Sequence, residues 1–351
     1  MDLIEVIVDL QFGSCGKGLL AGMLAERGQP DTVVTAWAPN AGHTYIDAKG
    51  NKFVNIALPN GIVSPKLKRI LLGPGSVINP DILLAEMEHY KAHVENVDIC
   101  IHEHAAVVTE AHREAERGYG FNIGSTMKGV GEAVIQKIRR PTGGIYQNVA
   151  RQYFKGTPLE DNVVTVEEYN ALLDEAEHVL IEGAQGFSLS INQGFYPYVT
   201  SRECTLHQIL SDCGIPRVRG MVQPQLQVYG VCRTYPIRVA NRYDSNGNQI
   251  GWSGPGYHDQ RELKWGDIGV EPELTTVTKL PRRVFTFSIE QIRQAIRMNG
   301  VDDVFLNFAN YPQDANSMPM DQMITDIGRA GAPVRWIGYG PSITDVVDVG
   351  G

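Results

Sequence analysis

The sequence predicts an α/β protein built on a single large, mostly parallel sheet flanked by helices. Two observations carry that prediction: short β-rich runs alternate with helical patterns, and glycine-rich polar clusters follow directly on the first two runs. In chain order, Leu3 to Asp9 reads as a buried strand, and Lys17 to Arg27 as a helix with Leu20, Met23 and Leu24 on one face, closed by Gly28. Asp31 to Ala36 and Arg69 to Leu72 read as strands, and Asp81 to His93 as a helix begun after Pro80. Val97 to His102, Val179 to Ile181, Gln227 to Cys232 and Val304 to Phe308 add strands. Ser288 to Asn299 is the clearest helix: Ser288 and Gln291 suit a capping box, Ile289, Ile292 and Ile296 share a face, and Gly300 supplies a left-handed stop. Residues 118–131 and 244–256, rich in Gly, Ser and Asn, read as mobile loops. No repeat or linker divides residues 1–351, so one domain is expected.

The composition narrows the function. A net charge of -9 argues against nonspecific binding to nucleic acid or anionic lipid, while a local basic pocket for a small anion stays compatible with it. Five cysteines without a C-x-x-C pair indicate neither a disulfide framework nor a zinc site, and a reducing compartment is expected. With no basic leader and no apolar run long enough to span a bilayer, the chain reads as cytoplasmic.

The chemistry concentrates first in EVIVDLQFGSCGKG, residues 5–18, where an apolar run ends in a glycine-rich turn at the start of a helix. Gly13, Gly16 and Gly18 would let backbone N–H groups converge on an anion, the helix would point its positive end there, and Lys17 adds a full charge. The spacing is not G-x-x-x-x-G-K-[ST], because two residues separate Gly13 from Gly16 and Gly18 takes the place of the Mg-binding hydroxyl. By itself the segment suits an ordinary strand-to-helix turn equally well. A second cluster, Asn40-Ala41-Gly42-His43-Thr44, follows the second strand, so both lie at strand C-termini, where open α/β sheets bind ligands. His43 there suits a general acid or a stabiliser of developing negative charge; a loop histidine bonded to its neighbours is the alternative. The third is Glu182-Gly183-Ala184-Gln185-Gly186, continuing to Tyr196-Pro197-Tyr198-Val199-Thr200-Ser201, in which Gln185 can read a base and Thr200 can donate to phosphate.

QFGSCGKG, NAGHT, EGAQG with YPYVTS, and GYGP near the C-terminus occur in this order along nearly the whole chain, and together they resemble the adenylosuccinate synthetase family. The resemblance implies one α/β domain related to P-loop NTPases, a homodimer, and a Mg²⁺-dependent ligase reaction. There a nucleoside triphosphate phosphorylates the purine O6, and the amino group of L-aspartate displaces that phosphate. It implies that Lys17, with Gly13, Cys15, Gly16, Gly18 and Thr44, holds the donor phosphates, that the Gly42 carbonyl helps bind Mg²⁺, and that His43 stabilises the O6 oxyanion. Ser125 and Thr126 would grip the substrate 5′-phosphate, with Asn40, Ala41, Gln185, Thr200 and Val239 completing the nucleotide pocket. Arg140 would reach into the site of the second copy in the dimer. Thr276, Val277, Thr278 and Arg282 would bind aspartate on a third mobile loop, 273–283, where a guanidinium fork suits a dicarboxylate. Asn307, Asn310, Gly340 and Pro341 would meet the donor nucleotide.

Three departures from the family pattern refine the expectation. Ser14 stands where the family has an aspartate that takes the N1 proton of IMP and joins the metal site; the shorter side chain opens room for a guanine 2-amino group. Leu280 stands where an arginine touches the ribose 2′-hydroxyl, so a 2′-deoxyribose should be preferred. Asn310 stands for the acid of the T-K-x-D guanine-recognition stretch, at Asn307 to Asn310, and an amide suits the edge of adenine. The three point to the phage branch of the family that acts on dGMP: an enzyme that joins dGMP to L-aspartate with ATP or dATP and Mg²⁺, in the host cytoplasm, for 2-aminoadenine DNA. Ordinary IMP and GTP chemistry is the near alternative, and a nucleotide-binding regulator without ligase activity is the alternative of another class.

Overall fold

The structure is a computed structural model that describes residues 1–120, 122–123, 125–142, 148–216, 223–275, 279–312 and 317–350. Among these residues ten strands form one sheet: β1 (Leu3–Asp9), β2 (Thr32–Thr35), β3 (Arg69–Leu72), β4 (Asp98–His102), β5 (Val163–Val164), β6 (His178–Glu182), β7 (Gln225–Arg233), β8 (Asp303–Asn307), β9 (Val334–Gly338) and β10 (Val346–Asp348). Their spatial order is β10-β9-β8-β7-β1-β6-β2-β3-β4-β5. Every pairing is parallel except that of β9 with β10.

A parallel sheet must bury both faces, and the period-2 alternation of β1 does so. Ile4, Val6 and Val8 join the core under the helices Ile289–Asn299 and Met320–Ala330, while Ile7 joins the opposite core under the helices Lys17–Gly28 and Pro80–His89. Ile292 and Ile296 are buried on the expected face, Ser288 accepts from the Gln291 amide at 2.9 Å, and Gly300 takes a φ of 59°. The capping box is incomplete, because the Gln291 side chain donates to Ser188 instead.

Several expected elements are revised. The helix expected from Asp81 to His93 ends at His89, since Tyr90 turns its ring into the core against Phe53 and accepts from the Val54 amide; a short turn, Lys91–Val94, follows. The first helix closes with Gln29, not Gly28, in the left-handed region. His43 and Thr44 are not loop residues: His43–Ile46 pairs antiparallel with Lys52–Asn55. Within 244–256, Gln249–Gly251 pairs with Arg242–Tyr243 around a turn in which Asp244 accepts from the amides of Asn246 and Asn248.

Candidate active site

β1 lies between β6 and β7, so the turns after these three strands meet at one end of the sheet. In the turn after β1, Gly13, Ser14 and Gly16 have φ of 86°, 58° and 99°. At Gly16 a Cβ would fall 2.2 Å from the Asn307 amide nitrogen, so this position needs glycine for space as well as for conformation. The amides do not simply face outward to an anion. Asp9 at the end of β1 accepts from the amides of Gln11, Gly13 and Cys15 at 3.0, 3.1 and 3.3 Å, and this carboxylate shapes the loop. Lys17 Nζ donates to Asp9 Oδ2 at 3.2 Å and to the Gln185 carbonyl at 2.7 Å. Of the first-turn amides of Lys17–Gly28, those of Leu19 and Leu20 donate to the Gly16 carbonyl at 3.1 and 3.2 Å, and those of Lys17 and Gly18 remain for phosphate. Gly18 lies where a Cβ would meet Thr44 O at 2.7 Å and Thr44 N at 2.8 Å, so the hydroxyl of a P-loop has no room here.

The turn after β2 brings in His43. Its ring stacks on Trp37 with centroids 3.8 Å apart, and Nδ1 lies 2.6 Å from Glu182 Oε1 at the end of β6. Glu182 Oε2 accepts from the Asn60 amide at 3.2 Å, and Trp37 Nε1 donates to the Glu182 carbonyl at 2.8 Å.

Opposite stands Arg233 at the end of β7, fully buried, with its guanidinium 3.7 Å above the Phe308 ring. It donates to the Ser14 carbonyl at 3.1 Å and engages both oxygens of Glu273, which also accepts from Tyr311 Oη at 2.8 Å. Burial pushes the Glu273 carboxyl up, but the Arg233 charge and hydrogen bond outweigh it and hold the group below its ordinary range. Arg282 lies near Glu273, and burial lowers its guanidinium below the usual value.

These walls enclose a cleft of about 360 Å³, within the range of small-molecule sites. Of the expected residues, Gly13, Ser14, Cys15, Gly16, Lys17, Gly18, Asn40, Ala41, Gly42, His43, Thr44, Ser125, Thr126, Gln185, Val239 and Arg282 line it. Lys17, Arg242 and Arg282 make it cationic within an acidic protein. Glu116 accepts from the Ser125 hydroxyl, and Arg242 donates to the Ser125 carbonyl at 3.0 Å. Gln185, at a φ of 59°, donates to Asn40 Oδ1 at 3.1 Å.

Other expected residues stand apart from this wall. Thr200 donates through its amide to the Leu189 carbonyl, and Leu280 is tied by its amide to Thr275 Oγ1. Asn307 is buried and spends its side chain on the loop, donating to the Cys15 carbonyl at 3.2 Å and accepting from the Phe308 amide at 2.8 Å. Asn310 and Pro341 are exposed, Gly340 is half-buried, and Arg140 is exposed just beyond the helix Val130–Arg139. Thr276, Val277 and Thr278 lie outside the described residues.

Asp9, Glu182, Arg233, Arg242, Glu273 and Phe308 had no role in the sequence reading. For Asp9, Glu182 and Arg233 a signal existed, since each ends a strand next to a polar cluster. Cys15 is a buried filler: burial first and Asp9 second push its thiol far up, against a thiolate role. Arg283 turns from the cleft to pair with Glu262.

A glycine-rich loop, a buried lysine and a histidine braced by a carboxylate, all at a switch point of a parallel sheet, define a nucleotide-binding enzyme of the phosphoryl-transferring kind. The family model described as adenylosuccinate synthetase matches residues 6–157 and 144–319. The N6-succino-2-amino-2′-deoxyadenylate synthase of Acinetobacter phage SH-Ab 15497 is 48% identical over 99% of this chain and 93% of its own. The cyanophage S-2L succinoaminodeoxyadenylate synthetase, solved with dGMP and with dATP as energy donor, superposes with a TM-score of 0.90 at 43% identity, covering 100% of this chain and 96% of that one. Adenylosuccinate synthetase from Plasmodium falciparum shares the fold, with a TM-score of 0.72 at 20% identity over 99% of both chains. The chain belongs to the adenylosuccinate synthetase family and is a ligase of that type. No helix among the described residues is long and apolar enough to cross a membrane.

Proposed function

We propose that this chain condenses dGMP with L-aspartate, at the expense of ATP or dATP, to give 2-amino-2′-deoxy-N6-succinyladenylate, the nucleoside diphosphate and phosphate, in the host cytoplasm for 2-aminoadenine DNA synthesis. The observation that carries the reading is Ser14: it lines the cleft beside Lys17 and His43, where a family member using IMP carries a carboxylate. The phage relatives, and the dGMP and dATP bound by the cyanophage enzyme, support it.

In this reading Lys17 and the first amides of its helix offset the charge of the migrating phosphoryl group. His43 donates to the O6 oxygen as negative charge develops there. Ser125, Thr126 and Arg242 hold the 5′-phosphate, and the Arg282 fork takes an aspartate carboxylate. The amine then attacks C6, and phosphate leaves with the O6 oxygen. Arg140, exposed at a helix end outside this chain's own cleft, serves the second copy of a homodimer.

The Ser14 hydroxyl and the Gly42 carbonyl would help hold Mg²⁺, which would offset the negative charge of the donor phosphates. The donor set fits a cation that arrives with the nucleotide: Ser14 and Gly42 on the cleft wall offer neutral oxygens, and Asp9 is already engaged by Lys17 and three amides. Among the described residues no three His, Cys, Asp or Glu side chains form a cluster of metal ligands.

The test crosses dGMP, GMP and IMP against ATP, dATP and GTP with Mg²⁺ and L-aspartate, and measures succinyl-nucleotide and phosphate. Product chiefly from dGMP with ATP or dATP is expected; turnover of IMP with GTP would return the chain to the ordinary synthetase chemistry.

A further inference from the structure

We propose that Glu182 is the positioning residue of His43: its carboxylate holds Nδ1 as a donor and thereby presents Nε2 to the cleft as the nitrogen that takes up the second proton and, in the imidazolium, donates it to the O6 oxygen. This rests on the reading of His43 given above.

Both side chains are buried, 6% exposed for His43 and 0% for Glu182, with Nδ1 and Oε1 at 2.6 Å. A carboxylate can only accept, so the proton in that contact belongs to Nδ1. The other oxygen, Oε2, is already held by the Asn60 amide at 3.2 Å and the Asn60 side chain at 3.4 Å, so Glu182 cannot swing away without orphaning these donors. Trp37 removes the remaining freedom: it covers the imidazole with an interplanar angle of 14° and donates to the carbonyl of the same Glu182. Among the described residues no hydrogen bond to His43 Nε2 is formed, and His43 lines the cleft next to Lys17. Ring rotation, tautomer and exposure of a single nitrogen are thus set by one residue that does not itself line the cleft.

Histidine-labelled protein without nucleotide tests this by nitrogen NMR, at a pH where the ring is neutral. His43 should show a protonated Nδ1 and a bare Nε2, the reverse of the tautomer that free histidine prefers; a bare Nδ1 would overturn the proposal. In Glu182→Gln the ring should become a mixture of tautomers, and kcat should fall on the order of 10²-fold, the lower end of what a positioned acid supplies. The KM values for dGMP and aspartate should stay within about twofold. Glu182→Asp, which keeps the acceptor at shorter reach, should recover part of the loss. An unchanged ring spectrum in Glu182→Gln, or a loss confined to KM, would also overturn it. Should Glu182→Gln fail to fold, the native spectrum and Glu182→Asp decide. The ring measurement needs no turnover, so inactivity toward dGMP would count against the dGMP reading and leave this test standing.

Discussion

Asp9 and Lys17 face each other 3.2 Å apart at the floor of the cleft, carboxylate against ammonium, with side chains 0% and 6% exposed. Neither charge has bulk water to fall back on. Asp9→Asn would leave the Lys17 charge buried without its counterion and weaken the acceptor for three loop amides. A loss of about 3–5 kcal/mol is expected for breaking one side of such a pair. Urea unfolding of the two proteins reads it directly; coincident midpoints would show that the pair carries no such weight.

Gly18 invites a naive repair, since a serine there would recreate the hydroxyl of a P-loop. The Thr44 backbone at 2.7 and 2.8 Å from a Cβ forbids it, because backbone cannot yield as a flexible side chain does. Gly18→Ser should therefore lower stability by about 1–3 kcal/mol, as overpacking does, and reduce turnover. Higher activity with no fall in melting temperature would contradict this.

The cysteines should be silent in the native state. Cys15, Cys100, Cys204, Cys213 and Cys232 are all buried, and burial pushes the Cys100 and Cys204 thiols up to about 11 and about 12. A disulfide reagent at pH 8 should find no rapid thiol until denaturant is added, and then all five. The sign of the pH effect follows from the raised pKa values: the stabilisation is complete below the ordinary thiol value near 9 and is lost as pH rises beyond it. The urea midpoint should fall between about pH 9 and 11.

Glu273 ties Arg233 to the segment that precedes residues 276–278. Glu273→Gln should raise the KM for L-aspartate about tenfold, or about 1.4 kcal/mol, with a smaller change for dGMP. Its carboxyl is held below the ordinary value of 4.5, so its share of stability is present above that pH and is lost as pH falls below it. The stability gap between native and variant should accordingly narrow on acidification; a gap independent of pH would sink this assignment.

Much of this site was legible in advance. The strands could be read because a sheet buried on both faces demands apolar runs such as Val6 to Val8, and the polar blocks stood out because they end those runs. What could not be read was partnership across the chain. Asp9 looked like the last residue of a strand, yet it organises the loop; Glu182 braces a histidine 139 positions away. Such contacts depend on which strands become neighbours, and period-2 patterning carries no record of strand order. The pairing of His43–Ile46 was hidden for a related reason, because its polar residues suggested a loop.

The bond from Asn307 to the Cys15 carbonyl joins residues 292 positions apart, so a lock near the end of the chain holds the phosphate turn near its start. On the ribosome the turn, the histidine and their braces all emerge long before that lock does. Nucleotide affinity is therefore expected to belong to the completed polypeptide, so that unfinished chains would not draw on the pool that the enzyme converts. Stalled nascent chains of increasing length should begin to retain nucleotide only once residue 307 has cleared the exit tunnel.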